Sequence, residues 1–348
     1  MYNIALVTPD YPPKRGGVAR YLSQLVKASQ GNIDVFVDEL VTTRLVWPAW
    51  LPVVFFIRNL RKRGYDWVMV SHVLPMGTAA WIAALLGGAR YIVMLHGLDI
   101  RLAQRSIWKR FLFRSILRRA GCVIANSEFT ANEIQKIDPK LRPVVLTPGV
   151  EPFVLPKDSH VREQHNIPKE DAVILSVSRL VSRKGIDRLI EAMRSLPKTV
   201  WLVVVGDGED RERLQKLAEP VRDRVLFMTD ASDEERNAWY AESTLFALPV
   251  RDEGDDVEGF GIVYLEAALA ALPVVAGKSG GASEAVLDEL TGLLVDPLDT
   301  QALVVALKRL IDDPELAMLL GACGSQRARS YFRWEDRWER LKWILRDL

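Results

Sequence analysis

The chain has 348 residues, 49% of them apolar, enough for about two domains with separate cores. Its 46 basic and 45 acidic side chains leave a formal charge of +1, which gives no bulk attraction to nucleic acid. Two cysteines and four scattered histidines form neither a disulfide framework nor a zinc pattern, and the expectation is a reducing cytoplasm.

In chain order, MYNIALVTPDY opens the sequence as a first strand and not as a signal peptide. Short, β-branched apolar runs then alternate with helical stretches. In the first half, strands are expected at NIALVTP, IDVFVDE, DWVMVSH, RYIVMLHG, CVIANS and PVVLTPGV. In the second half they are expected at AVILSVS, VWLVVVGDG, RVLFMT, STLFALPV, LPVVAGKSGG and TGLLVDP. Runs that are continuously apolar suit parallel strands covered on both faces. Strand–helix alternation implies right-handed βαβ units and open, doubly wound sheets.

The strands divide six and six about the polar stretch GVEPFVLPKDSHVREQHNIPKED. The fold class expected is α/β, with two Rossmann-like domains, 1–155 and 156–328, and a ligand cleft at their junction. The tail, 329–348, is a helix whose Trp334, Trp338, Leu341 and Ile344 or Leu345 make an apolar stripe, suited to packing back on the first domain. No apolar run reaches the roughly 20 residues of a membrane span.

The chemistry concentrates in EGFGIVYLE, residues 258–266. Glu258 precedes a helix N-terminus, and Glu266 lies about 9 Å further along an apolar helix. Burying an unpaired carboxylate is costly, so both acids need partners. The helix is expected to start near Gly259; amides near Gly261 and Ile262 make a site for a diphosphate, with Gly259, Phe260 and Gly261 as donor-binding candidates. Acids on either side of it fit a ligand with hydroxyls at both ends, a nucleotide-sugar. The competing structural account is a surface Glu258 and a salt-bridged Glu266.

Three further segments add candidates. PPKRGGVARY places Gly16 and Gly17 before a helix, as a phosphate or sugar approach or as a plain turn. RLVSRKG puts Arg179 and Lys184 at the end of a strand, where they either grip phosphate or stand solvated. MLHGLD ends a strand at His96, a structural histidine or a ligand contact; Asp99 is a helix cap or an acceptor-side contact.

Taken together these segments resemble the retaining GT-B glycosyltransferases of family 4, over essentially the whole chain. The signature of two glutamates separated by seven residues matches Glu258 and Glu266. The resemblance implies that Arg179 and Lys184 bind the donor diphosphate, that Glu258 takes sugar hydroxyls and Glu266 the ribose diol. It places His96 beside the transferred sugar and the Gly16 loop on the donor-phosphate and acceptor side. VIANSE, TPGV, VGDGED and SGGASE echo the family more weakly, with Gly206 assigned to the donor site. The chain departs from the family at FMTDAS, where relatives often have a glycine turn, and at Pro148-Gly149, where many have Asn-Gly. DVEGFGIVYLEA followed by AGKSGGASE is most similar to bacterial GDP-mannose-using enzymes that act on phosphatidylinositol mannosides.

The expected activity is transfer of a hexose, mannose favoured, from a nucleotide-diphosphate sugar to a glycan or lipid-linked hydroxyl. Retention is expected by front-face displacement, without a covalent nucleophile. The alternatives are a nucleotide-sugar epimerase or hydrolase of the same fold, and a non-catalytic nucleotide-sugar-binding subunit. No cofactor or metal is expected: DEGDD, residues 252–256, reads as a solvated loop because Arg179 and Lys184 already offer the phosphates cations. Residues 105–119, RSIWKRFLFRSILRR, carry Arg110, Arg114 and Arg118 on one stripe with Ile107, Phe111 and Leu112 nearby. They suit an anionic membrane surface on the inner face, or a domain helix with a basic side. No aromatic–basic platform for nucleic acid is present.

Overall fold

The computed structural model describes residues 2–14, 16–37, 48, 50–97, 100–101, 106–156, 158–254 and 256–348. The chain forms two compact units: Met1–Gly149 with Phe332–Leu348, and Val150–Tyr331. The expected divisions stood at 155 and 328; contacts put them at 149 and 331.

The first unit is built on six parallel strands: β1 (Ile4–Thr8), β2 (Ile33–Val37), β3 (Trp67–Ser71), β4 (Arg90–Leu95), β5 (Cys122–Ala125) and β6 (Val144–Val145). Their order is β2-β1-β3-β4-β5-β6. Ile4 pairs with Ile33 on one side and with Trp67 on the other. Strands β1, β3 and β5 are buried throughout, as continuous apolar runs require when helices cover both faces. Ala5, Val7, Val70, Val93 and Leu95 meet Val53, Val54 and Ile57 from the helix Leu51–Leu60 in one core. That helix is a core element, its buried residues spaced at helical intervals.

The tail helix, Trp334–Arg346, belongs to this unit. Trp334, Trp338, Leu341, Ile344 and Leu345 are all buried. Its Trp334 ring stands edge-on to Tyr21, 5.3 Å between centroids, from the helix Gly17–Ala28. The same ring lies where a side chain at residue 149 would go, 2.8 Å from its Cβ, so this chain needs glycine after Pro148.

The second unit repeats the plan with β7 (Ala172–Val177), β8 (Val200–Val205), β9 (Val225–Met228), β10 (Leu245–Leu248), β11 (Val274–Gly277) and β12 (Gly292–Val295). The order is β12-β11-β10-β7-β8-β9, again parallel. In each sheet the chain winds outward from a central strand and then returns to that strand's other side. The reversal falls between β1 and β3 in the first unit and between β7 and β10 in the second. Ligands of doubly wound sheets sit beyond the strand C-termini at such reversals.

Candidate active site

The loops that follow β7 and β10 flank the reversal point of the second sheet, and Arg179, Lys184 and Glu258 lie on them. After β7 the backbone makes a tight turn over Ser182–Lys184, closed by Gly185 at φ 71°. A side chain at 185 would come within 2.2 Å of the Pro249 carbonyl, so glycine lets this turn press against the end of β10. The turn buries Arg183 and Lys184 together.

Both cations meet the same acid. Arg183 Nη1 donates to Glu258 Oε2 at 2.8 Å, and the Lys184 ammonium donates to the same oxygen. Arg183 Nε also pairs with Asp256 at 2.7 Å. Only 12% of the Glu258 side chain is exposed, so the neighbouring charge must offset its desolvation. Burial pushes its carboxyl upward, but Lys184 and Arg183 prevail and hold it down at about 2. Burial pulls Lys184 downward, against the attraction of Glu258. Arg183 was absent from the expected site; RLVSRKG contains it, but only the tight turn shows that it faces inward with Lys184.

Arg179 is exposed. Its positive charge acts on Lys184 and favours loss of the ammonium proton. Two acids of the 252–256 stretch, Glu253 and Asp256, are occupied by the same pair of loops. Glu253 accepts from Arg251 at 2.6 Å and from Ser182 at 2.7 Å, while Arg251 also grips Asp187 at 2.8 Å. Among the described residues, no group of three or more His, Cys, Asp or Glu is placed to hold a metal.

Glu258 leads into the helix Ile262–Leu269 through Gly261, at φ 90°. The Tyr264 ring lies 2.5 Å from the place a Cβ at residue 261 would take, and Tyr264 donates to the Leu248 carbonyl at 2.8 Å. The helix start is thus locked to the end of β10. Phe260 is buried, so its ring is not available to a ligand at this turn. Ile262 is half-buried. Gly259 is held from behind: Gly281 packs against its carbonyl, while the Gly281 amide donates to the Glu258 carbonyl at 2.9 Å. SGGASE is therefore a brace for the glutamate loop.

Glu266 sits one turn into the same helix, 2% exposed, and its Oε2 accepts from the Tyr240 hydroxyl at 3.1 Å. The two glutamates thus have different protein partners, cations for one and a phenol for the other. Gly206, at φ 132°, has the Ser178 carbonyl where a Cβ would stand, and Gly208 packs likewise on Leu180. Their visible task is to let the loop after β8 close on the loop that carries Arg179.

In the first unit, Gly16 at φ 149° caps the helix Gly17–Ala28 without a side chain. Nothing lies within 4 Å of a Cβ added at Gly16 or Gly17, so Gly16 is required by its backbone and not by crowding. His96 follows β4, its ring edge-on to Tyr21 at 5.4 Å and 6.2 Å from the His72 ring. Its Nε2 is buried without a hydrogen-bond partner among the described residues. Burial, with His72 as a second cause, holds its pKa at about 3, so the ring is uncharged at neutral pH. Asp99 lies outside the described residues.

The basic stripe expected over 105–119 is partly used within the fold; Arg105 is outside the described residues. In the helix Ile107–Arg119, Arg114 donates to the Ile137 carbonyl at 3.0 Å and Arg118 pairs with Asp138 at 2.6 Å. What stands free of the unit is the first turn, with Ile107 87%, Trp108 81% and Phe111 63% exposed beside Lys109 and Arg110.

Comparison with known proteins agrees with this geometry. Residues 158–327 match the family described as Glycosyl transferases group 1, and residues 2–152 match Glycosyltransferase Family 4. A GDP-mannose-dependent alpha-(1-6)-phosphatidylinositol monomannoside mannosyltransferase of Mycolicibacterium smegmatis is 34% identical, over 98% of this chain and 97% of the relative. A GDP-mannose-dependent monoacylated alpha-(1-6)-phosphatidylinositol monomannoside mannosyltransferase of Corynebacterium glutamicum is 30% identical, over 98% and 97%. Among solved structures, a sucrose-phosphate synthase of Thermosynechococcus elongatus superposes with a TM-score of 0.85 at 24% identity, over 100% of this chain and 99% of the other. Anabaena HepE in complex with UDP and glucose gives 0.82 at 22%, over the full length of both. Paired parallel sheets, glutamate loop and full-length relatives converge: the chain belongs to the family 4 glycosyltransferases and has their GT-B fold.

Proposed function

We propose that the protein transfers mannose from GDP-mannose to a hydroxyl of a phosphatidylinositol mannoside-type lipid, with retention of configuration and without a metal. The observation that carries the donor half is the Lys184–Glu258 pair at the reversal point of the second sheet, beside Arg179 and the start of the helix Ile262–Leu269. Full-length similarity to two GDP-mannose-dependent enzymes supports the nucleotide and the sugar.

In this scheme Glu258, kept ionised by its two cations, accepts hydrogen bonds from hydroxyls of the transferred sugar. Glu266 receives the ribose diol. Arg179, Lys184 and the first amides of the helix face the diphosphate. As the bond from the anomeric carbon to the phosphate oxygen breaks, its electron pair leaves with the diphosphate. The acceptor oxygen bonds to the same carbon, and its proton passes to the departing phosphate. Charge growing on that phosphate is what the cations and amides stabilise, the largest single term in many enzymes. In this scheme two cations and the helix amides serve the phosphates, which is the reason no metal is invoked. His96, in the first unit, is uncharged and therefore able to donate or accept at a hydroxyl of the acceptor.

Access to a lipid-borne acceptor follows from the helix Ile107–Arg119. Its exposed Ile107, Trp108 and Phe111 would enter the headgroup boundary while Lys109 and Arg110 meet anionic lipid. No described helix is long and apolar enough to cross a membrane, so attachment is peripheral in this scheme.

A thermal-shift panel of GDP-mannose, GDP-glucose, UDP-glucose, UDP-GlcNAc and ADP-glucose tests the donor. Binding to the native state alone adds about 2.7 kcal/mol of stability at a hundredfold excess over Kd. GDP-mannose is expected to give the largest shift; a larger shift with a UDP-sugar would overturn the assignment.

A further inference from the structure

The reversal point of the first sheet, between β1 and β3, holds a side-chain assembly at the same topological place that Lys184 and Glu258 occupy in the second. Asp10 lies two residues past β1 and His72 one residue past β3. His72 Nε2 stands 3.3 Å from Asp10 Oδ2, and His72 Nδ1 is 3.1 Å from Ser71 Oγ. Ser71 Oγ is 2.6 Å from Thr8 Oγ1, which accepts from the Asp10 amide at 3.0 Å. With a neutral imidazole these contacts close a ring of hydrogen bonds. The Asp10 amide donates to Thr8, whose hydroxyl also reaches the Asp10 carbonyl at 3.3 Å; Ser71 stands between Thr8 and Nδ1, and Nε2 faces the Asp10 carboxylate.

His72 reaches Asp10 from a backbone at φ 75°, ψ 137°, a region that favours glycine. A bulky residue persists there only where its surroundings hold it. The His72 amide donates to the Met94 carbonyl, and its carbonyl accepts from Gly77, both at 3.1 Å. Strain of this kind collects at functional sites. The assembly also has an open side. The Asp10 side chain is 34% exposed, and Oδ1 has no hydrogen-bond partner among the described residues. On the other flank of His72 stands the unpartnered Nε2 of His96.

We propose that Asp10 receives a hydroxyl of the acceptor polyol, and that His72 is the positioning residue that holds its carboxylate in place. An acceptor carboxylate and an imidazole nitrogen on either side of one ring suit neighbouring hydroxyls of a sugar or inositol. One hydroxyl donates to Asp10 and the next exchanges a hydrogen bond with His96. The inference deepens the proposed transfer reaction and rests on its acceptor being a hydroxyl compound.

The test compares Asp10→Asn, His72→Gly and His72→Asn with the native protein. Glycine relieves the backbone at 72 and removes the ring; asparagine tolerates the same backbone and restores a donor. Transfer is measured from GDP-mannose to phosphatidylinositol monomannoside in vesicles, and GDP-mannose binding by calorimetry. Asp10→Asn and His72→Gly should each lower kcat/KM for the acceptor about tenfold or more, the loss of a hydrogen bond to a charged group. Donor Kd should stay within about twofold, and His72→Asn should recover part of the loss. Unchanged acceptor kcat/KM, or a parallel loss of donor affinity, would overturn the role. A second readout needs no turnover: imidazole nitrogen NMR with free myo-inositol as the probe. The His72 signals should shift in the native protein and not in Asp10→Asn; no shift in the native protein would refute the pair. Should the native protein fail to transfer mannose, the donor or acceptor assignment fails, and the NMR titration still decides the role of Asp10 and His72.

Discussion

Arg183 and Glu258 meet at 2.8 Å across 75 residues of sequence, and with Lys184 they fix the glutamate loop to the turn after β7. The acid at 258 is therefore set in its ionised form by its own neighbours.

That setting has an acid dependence. Glu258 is held at about 2 against an ordinary 4.5, so as pH falls the unfolded chain takes up this proton first. The stabilisation is fully present above about pH 4.5 and is lost as pH falls toward 2, on the order of 3 kcal/mol in all. Urea midpoints for the second unit, followed from pH 5 to pH 3, should drop more steeply in the native protein than in Glu258→Gln. Equal slopes would show that the pair contributes no such linkage.

The two arginines of RLVSRKG separate by function. Arg179→Ala, at an exposed position, should leave thermal stability nearly unchanged and reduce turnover about a hundredfold, roughly 3 kcal/mol of transition-state stabilisation. Arg183→Ala removes a buried partner from Glu258 and Asp256 and should lower both stability and turnover, the former by about 3 kcal/mol. Calorimetric unfolding beside steady-state rates distinguishes them; identical stability losses would contradict the division.

Gly280→Ala probes the brace. Its Cβ would stand 2.2 Å from the Glu258 carbonyl, and residue 280 has φ 56°. Backbone must move to admit the methyl, costing about 1–3 kcal/mol, and the glutamate carboxylate moves with it. Melting temperature and GDP-mannose affinity should fall together. A stable variant with native affinity would mean that the 279–281 turn does not hold the loop.

Trp108→Ala and Lys109→Glu address the helix Ile107–Arg119. Each should reduce cosedimentation with phosphatidylglycerol-containing vesicles, about thirtyfold for the aromatic at a buried-area gain of 2 kcal/mol or so. Only the charge change should alter the salt dependence. Native binding that is equal for anionic and neutral vesicles would sink the membrane assignment.

The twelve strands of the described residues were legible, the central ones because strands covered on both faces are written as unbroken apolar runs, as in AVILSVS and VWLVVV, although β2, β6 and β9 are only partly buried. Glu258, Glu266 and Lys184 were singled out from the sequence with the help of the family resemblance, and the structure joins Lys184 to Glu258. Arg183 was not, since nothing in SRKG tells which side of a one-turn helix faces inward. Asp10 and His72 were not either: their meeting depends on adjacency of β1 and β3 and on one left-handed backbone. The stripe of three arginines in 105–119 was overread, because sequence periodicity shows a face but not the Ile137 carbonyl and Asp138 that occupy two of them.

The return of residues 332–348 to the first unit has a consequence for synthesis and for engineering. A ribosome must deliver the entire second unit before Trp334 can cover Tyr21 and Gly149, so the half begun first is finished last. A fragment ending at 149 would carry a bare aromatic seam. Chimaeras that trade the second unit between enzymes have to cut twice, near 149 and 331, and leave the helix Trp334–Arg346 with its parent.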